Sequence, residues 1–220
     1  MAQWNGQKLA GAAGILFIIL TLVSAFIVSP PPSADESPAK FLEYFNDNRS
    51  VLLVQMIIAF FAIIPAILFI SGIRNLLLSE EAEGGILTLS AVIGFILAGA
   101  VVTIATGWLG ALGYLGDGFG LDESSARTLS LLGTVMCNSG IFVGFATFEG
   151  ASGYLLLKGT KLPTWLGWIG LAAGVLGLVA IFSVAKDGVF MPFGFFSFAA
   201  FLSFSAYVLL VSVFMWLRAK

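Results

Sequence analysis

The sequence contains no histidine and a single cysteine, Cys137. Without imidazole groups the chain cannot form bis-histidine haem ligation, histidine-ligated metal sites, histidine-dependent nucleophile pairs or histidine proton shuttles. One cysteine excludes an intrachain disulfide, a cysteine-ligated iron–sulfur cluster and a structural zinc site. We interpret Cys137, in the middle of an apolar run, as a small buried hydrophobic residue. The sequence therefore predicts neither a metal site nor a cofactor.

Charged residues are also scarce. They make up 10% of the 220 residues, whereas a soluble domain has about 25%. The 10 Lys and Arg are balanced by 12 Asp and Glu and form no basic block, so nucleic-acid binding has no electrostatic basis. Hydrophobic residues make up 59% of the chain, and the mean hydropathy is +1.04. A soluble fold of this length has too little interior to bury so much apolar surface, so lipid must solvate much of the chain.

Six long apolar runs are present, and each reaches the roughly 20 residues that a helix needs to cross about 30 Å of hydrocarbon. Each run is predicted to be a helix, because a helix satisfies its own backbone amides in lipid. The runs lie at about 9–28, 51–73, 85–114, 128–157, 165–185 and 192–217. We therefore predict an all-α polytopic membrane protein, in which residues 1–220 form a single domain, a bundle of six transmembrane helices.

Six crossings would place both termini on the same side of the membrane. On one side the loops and ends would then carry six basic residues, Lys8, Arg74, Lys158, Lys161, Arg218 and Lys220. The other side would carry four, Lys40, Arg49, Arg127 and Lys186. Because cytoplasmic loops are enriched in Lys and Arg, we expect both termini to be cytoplasmic.

The loop after the first apolar run contains a short amphipathic helix at about 38–47. Ser37 is a favourable N-cap, and Pro38 then occupies the first helical position. Phe41, Leu42 and Phe45 fall on one face of this helix. Two arrangements are open: the helix lies on the outer membrane interface, or it packs on the bundle as a capping helix.

Glycines at four-residue spacing mark helix contacts. Gly140 and Gly144 have this spacing on the fourth predicted helix, and Gly170 and Gly174 have it on the fifth. Such pairs let two helix backbones approach closely, either within a bundle or between two copies of the chain.

Polar side chains inside the apolar runs are the candidates for ligand binding. They are Gln55, Thr103, Thr106, Thr134, Asn138, Glu149, Ser152 and Tyr207. Because lipid cannot solvate them, we expect them to face the interior of the bundle.

Glu149 is the strongest of these candidates. It precedes Lys158 by nine residues, about 13.5 Å along a helix, which places it near the middle of the membrane. An ionised carboxylate at that depth costs roughly 2.5–3.5 kcal/mol, so Glu149 should face protein or a water-filled cavity. It is either a structural hydrogen-bonding group or a site for a proton, a cation or a polar head group. We expect at least one polar partner from another helix, among Thr103, Thr106, Gln55 and Tyr207.

Three segments in order carry a family resemblance. They are "FLEYFNDNRSVLL", "FISGIRNLL" and "LKGTKLPTWLGWIGLAAGVLG". From about Leu9 to Arg218 the chain resembles six-helix bacterial membrane protein families of unknown function that are common in actinobacteria. The resemblance implies a multi-pass protein of the bacterial plasma membrane. It implies no activity and no catalytic residues.

Two functions fit these features. The first is a non-enzymatic bundle that binds or transports a small ligand, a lipid or a proton, using the buried carboxylate. The second is an accessory or structural subunit that packs against a larger membrane complex. Assembly of the chain into a homo-oligomer is open under either function. Membrane lipids are expected partners in both cases. An enzyme is not expected, because the chain supplies neither a metal site nor a general acid–base pair inside the membrane.

Overall fold

The computed structural model describes residues 6–81, 84–116, 120–159 and 161–218. Within these ranges the chain forms seven α-helices, one short 3-10 turn at Gly188–Phe190, and no strand. The helices are α1 (Gly6–Phe26), α2 (Pro38–Asp47), α3 (Arg49–Leu78), α4 (Ile86–Leu115), α5 (Glu123–Lys158), α6 (Thr164–Ala180) and α7 (Phe195–Arg218). Each predicted apolar run coincides with one of these helices, and the short helix at about 38–47 coincides with α2.

Five of the helices, α1, α3, α4, α5 and α7, are long and apolar enough to cross a membrane. The prediction of an all-α bundle of membrane type is therefore confirmed. Helix α6 is apolar but has 17 residues, which span about 25 Å at 1.5 Å per residue. The sixth crossing stays a prediction.

Helix α6 ends at Ala180, five residues before the end of the predicted run at 165–185. Two side chains of α5 donate hydrogen bonds to backbone carbonyls just after the end of α6. Ser139 Oγ donates to the Ile181 carbonyl at 3.0 Å, and Asn138 Nδ2 donates to the Ser183 carbonyl at 2.7 Å. Because α5 satisfies these carbonyls, the backbone can leave the helical path without burying unpaired acceptors.

Six of the helices form a closed ring. The order around the ring is α1, α3, α4, α5, α6 and α7, and α7 packs against α1. Helix α2 covers one end of the ring, where it packs mainly on the start of α5 and also contacts α4. Its apolar face buries Phe41, Tyr44 and Phe45 against the bundle. We call this end the α2 end. Of the two arrangements expected for α2, the structure shows the capping helix packed on the bundle.

At the opposite end, the loop after α3 meets the loop after α5. The Lys161 backbone N–H donates to the Glu80 carboxylate at 2.9 Å, and the Lys161 ammonium donates to the Ser79 hydroxyl. Arg218 donates to the Lys161 carbonyl at 3.4 Å. The described basic residues that were predicted to be cytoplasmic lie at this end; Lys220 lies outside the described residues.

Close approach of helix backbones explains several of the glycines. A Cβ atom on Gly144 would lie 2.6 Å from the Gly94 carbonyl oxygen of α4. A Cβ atom on Gly170 would lie 2.8 Å from Gly153 Cα of α5 and from the Tyr207 ring of α7. These glycines therefore serve packing within the bundle, because only a residue without a side chain fits so close to a neighbouring helix.

Candidate functional site

A cavity of about 630 Å³ lies inside the ring at the α2 end. Six helices, α1, α2, α3, α4, α5 and α7, contribute to its walls. Most of the lining is apolar or aromatic, and Phe26, Trp108 and Phe198 are among the largest side chains. Phe26 and Phe198 are each about half exposed and contact each other edge to face where α1 and α7 meet at the cavity wall.

Polar side chains from different helices meet in this cavity. They are Gln55 on α3, Thr106 on α4, Thr134 and Asn138 on α5, Ser197 on α7, Tyr44 on α2 and Ser29 after α1. Four of the eight candidates chosen from the sequence thus line one cavity: Gln55, Thr106, Thr134 and Asn138.

Gln55 is held by α1. Its Nε2 donates to the Ser24 carbonyl at 2.9 Å, and Ser24 Oγ donates to the Gln55 carbonyl at 3.3 Å. The first bond fixes which end of the Gln55 side-chain amide is the NH₂ group, because the Ser24 carbonyl can only accept a hydrogen bond. Gln55 Oε1 is buried and has no hydrogen-bond partner among the described residues. This side chain therefore brings an unused acceptor to the cavity wall.

Two threonines of α4 use their hydroxyl groups locally. Thr106 Oγ1 donates to the Val102 carbonyl at 2.9 Å, and Thr103 Oγ1 donates to the Gly99 carbonyl at 2.7 Å. Such bonds to the preceding turn are usual for threonine in a helix. Thr106 lines the cavity, whereas Thr103 belongs neither to the cavity nor to the buried group around Glu149.

Tyr44 and Ser197 are not among the candidates predicted from the sequence. The Tyr44 hydroxyl donates to the Ser29 carbonyl at 2.7 Å. Burial raises the pKa of Tyr44 to about 12, so this hydroxyl stays protonated at neutral pH. Tyr44 follows Phe41 by three residues, and this spacing on the apolar face of α2 was the available signal. Ser197 Oγ is buried without a partner in the described part of the chain, and no sequence pattern marks it.

An aromatic layer closes the inner end of the cavity. Phe142 and Phe145 of α5 line the cavity, and the Phe145 ring stacks on Phe204 of α7. Phe204 in turn contacts Phe95 and Phe148, which are both buried. We call the stacked pair Phe145–Phe204 the floor of the cavity.

The other three candidates lie behind this floor. Glu149 and Ser152 follow Phe145 on α5 by four and seven residues, so they share its face of the helix. Ser152 Oγ and the Tyr207 hydroxyl are 2.9 Å apart and form a hydrogen bond. All three side chains are fully buried. Glu149, Ser152 and Tyr207 therefore form a group separate from the cavity.

Glu149 points into the bundle as predicted, with no exposed surface. The prediction of a polar partner from another helix is wrong: neither carboxyl oxygen has a hydrogen-bond partner within the described residues. The rotation of α5 explains the difference. Glu149 lies between Ser152, which faces α7, and Gly153, which contacts α6. Its side chain thus turns away from α3 and α4, which carry Gln55, Thr103 and Thr106, while the Tyr207 hydroxyl is bonded to Ser152.

The lining of the cavity combines apolar walls with uncharged polar groups. None of its described lining residues is an Asp, Glu, Lys or Arg. In the described part of the chain no three Cys, Asp or Glu side chains come close enough to hold a metal ion. Its walls offer an apolar surface with a few hydrogen-bonding groups.

No protein-family model matches the chain, and neither the curated proteins nor the solved structures give a significant match.

Proposed function

We propose that this chain is a multi-pass plasma-membrane protein that binds a lipid-like small molecule in the cavity at the α2 end and leaves it chemically unchanged. The observation that carries the proposal is the cavity itself. Its volume of about 630 Å³ lies within the range of roughly 300–1,000 Å³ that is typical of ligand sites. Ligand sites of this kind combine apolar walls with a few placed polar groups, and this cavity has both.

The lining supports an uncharged ligand that can donate a hydrogen bond. Gln55 Oε1 and Ser197 Oγ are buried at the wall without partners among the described residues. A buried acceptor without a partner is unfavourable by about 1–3 kcal/mol, so a donor on the ligand would be stabilised there after a small rotation of the side chain. A charged head group would find no countercharge among the described lining residues.

We place α6 across the membrane as the sixth span. Helix α6 packs between α5 and α7 in the ring, and its length of about 25 Å is close to the hydrocarbon thickness of about 30 Å. With six spans the bias of basic residues favours cytoplasmic termini and an outward-facing α2 end. The resemblance to bacterial six-helix membrane proteins agrees with this arrangement.

Glu149 fits a secondary role in this scheme, as a proton site behind the floor. A carboxyl group without hydrogen-bond partners at this depth is more stable in its neutral form. Opening of the floor would give it contact with the cavity.

The alternative function is that of an accessory subunit in a larger membrane complex. One observation favours it: a Cβ atom on Gly99 of α4 would have no atom of the described residues within 4 Å. A partner helix could approach the outer surface of α4 closely at this point.

A cavity-filling substitution distinguishes the two functions. Ala105 lines the cavity, whereas Ala100 on the same helix is exposed on the outside of the bundle. Native mass spectrometry of protein released from its membrane should show one bound small molecule on the wild type and on Ala100→Phe. Ala105→Phe should lose it. A wild-type protein that carries no small molecule but a stoichiometric partner protein would support the accessory function instead.

A further inference from the structure

A second concavity lies on the outer surface of α5. It is an open groove of about 550 Å³, lined by Pro38 of α2 and by α5 residues that share one helix face. These are Ser124, Arg127, Thr128, Leu131, Leu132 and Val135. The polar residues come first along α5 and the apolar residues follow.

Arg127 has unused donors in this groove. One guanidinium nitrogen, Nη2, donates to the Ala34 carbonyl at 2.6 Å. Nε is buried and has no hydrogen-bond partner in the described part of the chain. No described carboxylate lies within 4.0 Å of the Arg127 guanidinium, the distance of an ion pair. The Asp122 carboxylate, five residues earlier in the chain, accepts its hydrogen bonds from Ser125. A partly buried guanidinium without a countercharge favours binding of an anion.

The depth of Arg127 is set by the length of α5. Arg127 precedes Lys158 by 31 residues, about 46 Å along the helix. This distance matches the thickness of a bilayer including its head groups, about 40–45 Å. With Lys158 at one head-group layer, Arg127 lies at the other. Leu132 and Val135, which are about half exposed, then lie at the level of the acyl chains.

We propose that this groove binds a phospholipid, with its phosphate on Arg127 and one acyl chain along Leu131, Leu132 and Val135. The guanidinium supplies two or more charge-assisted hydrogen bonds to the phosphate, since planar forks suit phosphate oxygens. Ser124 and Thr128 flank it with hydroxyl donors. This site is independent of the inner cavity, which none of these side chains lines.

Binding of dioleoylphosphatidylglycerol to delipidated protein, titrated by native mass spectrometry, tests the proposal. Arg127→Gln should raise the Kd of the tightest site about tenfold, as expected for loss of a hydrogen bond to a charged group. Lys40→Gln is the matched control, because it removes one positive charge from the same end of the bundle and should change the Kd less than twofold. Dioleoylglycerol, which lacks the phosphate, should bind at least tenfold more weakly than the phospholipid.

A further variant covers the case in which Arg127→Gln disturbs the loop held at Ala34. Thr128→Val keeps the bond from Arg127 to the Ala34 carbonyl and removes one hydroxyl donor. It should raise the Kd about threefold. Equal affinities of Arg127→Gln and Lys40→Gln, or of Thr128→Val and wild type, would overturn the proposal. So would competition by inorganic phosphate at millimolar concentration, since that would identify a site for a free anion instead of a phospholipid.

Discussion

The rings of Phe145 and Phe204 stack with 3.9 Å between their centroids and 7° between their planes. Phe145 lines the cavity, and Glu149 follows it by one helical turn. This stacked pair therefore separates an apolar cavity from a buried acid. The pair divides the polar candidates into two groups: those that line the cavity in front of the floor, and Glu149, Ser152 and Tyr207, which are buried behind it.

Removing the floor should destabilise the bundle. We expect Phe145→Ala to lower the stability by about 3–5 kcal/mol, the usual range for deleting a buried phenylalanine side chain. Phe182→Ala is the control, because Phe182 is 71% exposed and faces lipid or solvent. Thermal unfolding in detergent measures both. Similar melting temperatures for the two variants would show that the stacked pair is not part of the core.

Replacing the buried acid should stabilise the protein. Glu149 has no exposed surface and no hydrogen-bond partner among the described residues, so Glu149→Met removes an unsatisfied group of similar size. We expect a gain of about 1–3 kcal/mol. Ser152→Ala should instead lose stability, by about 0.6 kcal/mol, because it breaks the bond to Tyr207. A loss of stability in Glu149→Met would mean that the carboxyl group has a partner, such as a bound proton carrier or water.

The helix contacts can be tested by making the same substitution, glycine to alanine, at a packed position and at an open one. A Cβ atom on Gly144 would lie 2.6 Å from the Ala98 backbone nitrogen, whereas one on Gly99 meets nothing described within 4 Å. Gly144→Ala should therefore cost about 1–3 kcal/mol through overpacking. Gly99→Ala should be neutral or stabilise the helix by up to about 1 kcal/mol. If both substitutions behaved alike in thermal unfolding, α4 and α5 would not pack as described.

The N-terminus of α5 should give stability a pH dependence. The Asp122 carboxylate accepts bonds from the Ser125 hydroxyl and backbone N–H, and these bonds lower its pKa. A lowered pKa means that the carboxylate stabilises the fold above the ordinary pKa of aspartate. This contribution is lost as the pH falls through the lowered value. Asp122→Ala should therefore melt below wild type at pH 7 and approach it under strongly acidic conditions.

The control for this measurement is Asp122→Asn, which keeps an acceptor oxygen but carries no charge. At pH 7 the melting temperature of Asp122→Asn should lie between those of Asp122→Ala and wild type. A gap between Asp122→Ala and wild type that stays constant down to acidic pH would contradict a role of the charge.

Much of the fold could be predicted from the sequence because lipid imposes simple rules on composition. Long apolar runs must be helical, and the few polar residues inside them are expected to face protein. Gln55, Thr106, Thr134 and Asn138 line the cavity, whereas Thr103 lies outside it. That Glu149 has no polar partner among the described residues could not be predicted, because this depends on the rotation of α5 against its neighbours. The early end of α6 could not be predicted either. It depends on Asn138 and Ser139, which lie more than 40 residues earlier in the chain.

The most direct test of ligand binding uses Cys137, the single cysteine of the chain, which lines the cavity. Delipidated protein in detergent is treated with N-phenylmaleimide, and labelling is followed by mass spectrometry with and without the lipids extracted from wild-type protein. We expect these lipids to slow labelling of Cys137 at least fivefold in wild type and in Ala100→Phe, since the ligand occupies the cavity. They should have no effect in Ala105→Phe. Labelling of wild type at the same rate with and without the extracted lipids would contradict a ligand in this cavity.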